Sequence, residues 1–156
     1  MKYAQAIDNG LFFLWRALVF IFPFAFTGYI FTNIIKMLLV KDRYASLEDS
    51  IDFQIFIFDS VFMLGFLLCS SLLLFCFLSR KNKTLTLAKQ FLLIFIGYLL
   101  LRSIIYALLT CFENGMRHLP LNFTIMFREA LPQILFFGFW FLYLSKSKRA
   151  REVYTE

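Results

Sequence analysis

Four long apolar blocks, Leu11–Ile35, Phe53–Leu78, Leu85–Phe112 and Phe123–Leu144, take up most of this 156-residue chain. A helix needs about 20 mainly apolar residues to cross a hydrocarbon core about 30 Å thick, and each block reaches that length. The blocks therefore predict an all-α fold, an integral membrane bundle of four transmembrane helices forming a single domain over residues 1–156. Composition points the same way. Hydrophobic residues make up 61% of the chain, 23 of them phenylalanines, and charged residues only 17%. A soluble chain of this length could not hide so much apolar surface in one core, whereas lipid tails accept it.

Charge gives the blocks a direction. Lys2, Arg16, Arg80, Lys81, Lys83, Lys89, Lys146, Lys148, Arg149 and Arg151 flank the ends that would share one side of the bilayer. The opposite side holds Lys36, Lys41, Arg43, Arg117 and Arg128. Lys and Arg favour the cytoplasmic face, so both termini are expected there, with longer loops at Lys36–Asp52 and Glu113–Asn122 outside. The first block has no small-residue cleavage site after Ala25 and reads as an uncleaved span. Basic residues placed beside apolar segments meet anionic lipid headgroups. No groove-reading motif accompanies the net charge of +6, so the expected partners are the bilayer and another membrane protein, not nucleic acid.

Ionisable side chains inside a span are costly and mark candidate sites. Four fall in the outer half of the bundle: Asp59, Arg102, Arg128 and Glu129. Arg102 lies deeper than the others by about 6 Å along a helix, a gap its own side chain can bridge. The four are expected to form a polar cluster of zero net charge, led by an Asp59–Arg102 pair. A structural role, fixing which helices meet, comes first; a ligand or ion path comes second. Arg16, near the inner end of block one, is expected to reach the headgroups.

Other features carry less. Glu48, Asp52 and Asp59 align on one helical face without the second acidic segment a divalent cation would need. His118 stands in a loop near Glu113 with no nucleophile beside it. Cys69, Cys76 and Cys111 have no metal-ligand spacing and read as packing residues, so no metal, cofactor or disulfide is expected. Gly65 and Cys69 form a small-xxx-small step, read as internal helix packing. Pro23 is expected to kink block one. Pro120 and Pro132 bracket Arg128 and Glu129, which suggests a short interfacial turn before the fourth span.

The tail is the most distinctive stretch: Trp140-Phe141-Leu142-Tyr143, then Ser145-Lys146-Ser147-Lys148-Arg149, Arg151 and Tyr154. Aromatic residues followed by a basic stop suit a lipid-facing anchor at the cytoplasmic face, with Trp140, Tyr143, Lys146, Lys148, Arg149 and Arg151 as its contacts. The Trp-x-x-Tyr and Ser-x-Arg spacing resembles the tail of the YdgK-like family, small four-span bacterial inner-membrane proteins without an assigned activity. Leu142, Ala150 and Val153 replace that family's usual proline, valine and threonine, and Trp15 comes later than its usual first tryptophan. The resemblance implies a bacterial inner membrane and no catalytic residue. A non-enzymatic accessory or interaction protein is the leading expectation. A transporter or channel component using the polar cluster follows, then an immunity protein that meets a membrane-targeted toxin through the two outer loops.

Overall fold

The computed structural model describes residues 2–39, 51–79, 83–114 and 119–155. Five helices account for nearly all of them: α1 (Lys2–Leu39), α2 (Ile51–Leu78), α3 (Thr84–Asn114), α4 (Leu119–Lys146) and α5 (Lys148–Thr155). The described residues contain no strand. Three helical segments, Gln5–Lys36, Ile57–Leu78 and Thr84–Leu109, are long and apolar enough to cross a membrane. This is a membrane protein by its helices. α4 has the length, at 28 residues, but Arg128, Glu129, Pro132 and Gln133 dilute the apolar character of its N-terminal half.

Pro23 and Pro132 both lie inside continuous helices. α1 runs unbroken through Pro23, where Thr27 Oγ1 donates 2.7 Å to the Pro23 carbonyl. The interfacial turn expected before block four is absent: α4 is one helix from Leu119 through Pro132. Pro120 sits in its first turn, where a missing N–H removes no intrahelical bond.

Consecutive long helices pack on one another, and α4 lies chiefly against α3. α1 and α4 meet through rings, Trp15 to Trp140 at 5.7 Å and Phe22 to Phe137 at 6.1 Å between centroids. The centre is aromatic throughout. Phe66 lies 4.6 Å from Phe95, and Phe95 lies 4.4 Å from Phe137. Such offset and edge-on pairs each add about 0.5–1.5 kcal/mol beyond the area they bury. Outside this core, Phe13, Phe24, Leu68 and Leu135 stand exposed, a surface suited to lipid and not to water.

The small-xxx-small step does not face the core. Gly65 and Cys69 are both exposed, and a Cβ built on Gly65 would meet nothing within 4 Å. The internal packing expected of it is therefore not found. Buried hydroxyls turn to their own helices instead: Ser70 Oγ donates to the Leu67 carbonyl and Ser103 Oγ to the Leu99 carbonyl. Thr84 closes the α2–α3 hairpin, its Oγ1 donating 3.0 Å to the Cys76 carbonyl. That bond satisfies one of the carbonyls a helix end leaves open.

Candidate functional site

Asp59 is the only buried acid among the described residues, and three helices converge on it. Arg102 Nε on α3 donates to both carboxylate oxygens at 2.9 Å. Tyr98, one turn earlier on the same face of α3, donates its phenol proton to Oδ1 at 2.7 Å. From α1 the Tyr29 hydroxyl stands 3.5 Å from Oδ2. Aromatic rings fix this geometry: Tyr98 stacks on Phe62 at 5.1 Å and on Phe58 at 6.1 Å. A carboxylate taken out of water costs several kcal/mol unless it is paired and hydrogen-bonded, and here it is both.

The two partners differ in exposure. The Asp59 side chain is 5% exposed and that of Arg102 is 37% exposed. Arg102 engages the acid through Nε alone, leaving its two terminal nitrogens without a partner among the described residues. Asp59 stands eight residues after the start of α2 at Ile51, and Arg102 twelve residues before the end of α3 at Asn114, about 12 Å and about 18 Å along the helices at 1.5 Å per residue.

Arg128 is exposed on α4 and bonds to neither Asp59 nor Arg102, so among the described side chains only Asp59 and Arg102 of the expected cluster come together. The side chain of Glu129 lies outside the described residues. So do His118, Arg117 and Glu48, and the side chains of Asp52, Cys111 and Glu113. The structure adds Tyr98 and Tyr29 to the pair, from the two helices flanking α2.

The tail also departs from expectation. Trp140 does not face lipid; it is 4% exposed and packs on Trp15 and Tyr143 inside the protein. A long-range partner on α1 draws it inward. Tyr143 is half-buried and donates its hydroxyl proton to the Asp8 backbone carbonyl at 2.9 Å. Lys146, Lys148, Arg149 and Arg151 stay exposed, and Arg151 Nη2 donates to the Lys146 carbonyl at 3.2 Å.

A second polar knot follows from this turn. Ser147 interrupts the helix, and its Oγ accepts the Ala150 N–H at 3.1 Å, an N-cap for α5. The same hydroxyl donates to Asp8 Oδ1 at 2.7 Å, while Asp8 Oδ2 accepts the Arg149 N–H at 3.3 Å. The Asp8 carboxylate thereby completes the N-terminus of α5, where negative charge is favoured. α5 folds back so that Ala150 and Tyr154 are buried, the latter against Phe12 and Phe77 at 5.8 Å each. A signal for this element was present: a capping serine followed by an apolar i, i+4 pair at Ala150 and Tyr154.

The described residues contain no group of three His, Cys, Asp or Glu able to hold a metal ion. No family model, curated protein or solved structure matches this chain.

Proposed function

We propose that this chain is a non-enzymatic accessory or interaction protein of the bacterial inner membrane, a bundle of four spans with both termini cytoplasmic. It acts through contact with another membrane protein while its basic inner face meets anionic headgroups. The observation that carries the reading is the way Asp59 is closed off. Its carboxylate is buried, accepts from Arg102 and Tyr98, and has Tyr29 on its remaining side. A saturated acid tying three helices together fixes helix register, one of the better attested uses of buried polar groups. It leaves no open acceptor for a passing cation. The tail spacing shared with the YdgK-like family and the bias of Lys and Arg support the compartment and the orientation.

A second reading, a small transporter or channel component, draws on one feature: the half-buried Arg102 guanidinium with two unengaged nitrogens. Copurification from native membranes with crosslinking and mass spectrometry separates the two. A defined stable partner is expected. Its absence, together with liposome flux that disappears in Arg102→Gln at unchanged protein level, would favour transport and overturn the accessory role.

A further inference from the structure

A cleft of about 790 Å³ opens between α1, the end of α2 and α5, on the face that carries both chain ends. Phe12, Phe77, Val153 and Tyr154 line it together with two cations, Arg16 and Arg149, and one acid, Glu152. Arg16 lies over the Phe77 ring, with its guanidinium carbon 5.4 Å from the centroid. It forms no ion pair or hydrogen bond among the described residues, so a cation–π contact positions it while its N–H groups stay available. Arg149 is held only loosely by Glu152, at 3.7 Å and with both side chains half or more exposed. The Tyr154 ring lines the cleft while its hydroxyl is buried without a hydrogen-bond partner; the Trp15 indole approaches it without reaching hydrogen-bond geometry. Burial pushes that phenol above its usual range, so it remains a neutral donor.

One arginine with free donors, a second only loosely paired and aromatic walls suit an anion attached to an apolar body. The walls run into the exposed apolar surface of α1 at Phe13 and Phe20. Arg16 lies five residues past the start of the first apolar block, about 8 Å along the helix. A guanidinium at that depth reaches the phosphate layer by extending outward. We propose that this cleft is a discrete binding site for the phosphate of an anionic phospholipid, gripped by Arg16 and Arg149. The proposal rests on the reading that this face of the protein meets anionic headgroups, and it narrows that contact from a diffuse charge to one cleft. α5 is then the wall that the Asp8–Ser147 knot holds in place.

Native mass spectrometry of the full chain in nonionic detergent, titrated with phosphatidylglycerol and with phosphatidylcholine, tests it. The wild-type chain is expected to retain one phosphatidylglycerol at least about tenfold more tightly than phosphatidylcholine. Loss of each arginine is expected to weaken binding about fivefold, so Arg16→Gln with Arg149→Gln weakens it about 25-fold. Lys83→Gln with Lys89→Gln removes the same charge away from the cleft and is expected to change binding less than about threefold. Equal losses in the two double variants would overturn the discrete site and leave the diffuse contact standing. No preference for phosphatidylglycerol in the wild type would overturn both. Displacement of the lipid by millimolar inorganic phosphate would identify a free-phosphate site and overturn the lipid assignment. Arg16→Lys with Arg149→Lys, which keeps the charge, guards against misfolding: it is expected to retain most of the binding, and full loss with helicity intact would overturn the electrostatic grip.

Discussion

Removing Arg102 strands a carboxylate, and the cost is set by how little water can reach it. In Arg102→Gln the Asp59 side chain, 5% exposed, keeps only the 2.7 Å bond from Tyr98 and the distant Tyr29 hydroxyl. Breaking a buried pair from one side costs about 3–5 kcal/mol. The arginine is 37% exposed, so part of the pair's strength is already screened, and about 2–3 kcal/mol is expected. The reverse change is milder. Asp59→Asn keeps the side-chain shape and leaves a guanidinium that can reorient toward polar surroundings, with an expected cost of about 1 kcal/mol. The double variant removes both charges and is expected to recover about 1–2 kcal/mol relative to the sum of the single changes. Equilibrium unfolding in mixed micelles, followed by loss of helicity across a dodecyl sulfate titration, measures all four proteins. Two results would refute the reasoning: single effects that add to within about 0.5 kcal/mol, or an Asp59→Asn penalty larger than that of Arg102→Gln.

Substitutions at three further positions probe the same structure elsewhere. Tyr98→Phe deletes the 2.7 Å bond to Asp59 while keeping the ring stack on Phe62; a loss of about 1–2 kcal/mol in the same titration is expected. Trp140→Ala opens a cavity in the core and is expected to cost about 3–5 kcal/mol. Trp140→Phe, by contrast, also removes a buried indole N–H that has no partner and should stay below about 1.5 kcal/mol; equal penalties for the two would place Trp140 outside the core. Ser147→Ala removes both the cap of α5 and the bond to Asp8, a local loss of about 1–2 kcal/mol. Hydrogen exchange at the Arg149 and Ala150 amides is expected to quicken about tenfold while amides in α3 stay unchanged, and uniform quickening would contradict a local latch.

The long helices were legible because uninterrupted apolar runs leave the backbone few alternatives in lipid. The Asp59–Arg102 pair was legible for a related reason, since two opposite charges placed within apolar segments seek each other. Tyr98 was not, although it stands four residues before Arg102, because a tyrosine in an apolar run looks like one more packing ring. Arg128 shows the limit of arguing from depth alone. Sharing a layer of the membrane does not set which face of a helix a residue occupies, and Arg128 is exposed. Trp140 was misplaced because its partner, Trp15, lies 125 residues away in sequence, beyond any local pattern. α5 went unseen because Lys148, Arg149 and Arg151 dominate its composition. The capping Ser147 and the buried Ala150 and Tyr154 carry its structure, and Asp8 at the other end of the chain secures it.

The orientation of the chain decides whether the Asp59 site lies in the outer leaflet and the Arg16 cleft in the inner one. Paired reporter fusions, one after Glu156 and one within residues 41–50, measure it directly: a reporter active only in the cytoplasm and one active only outside it, each placed at both positions in intact cells. Four spans with cytoplasmic termini require the Glu156 fusion to report inside and the 41–50 fusion outside. An external C-terminus would overturn the orientation, and both positions on one side would contradict the four-span bundle and with it the shared outer half assigned to Asp59 and Arg102.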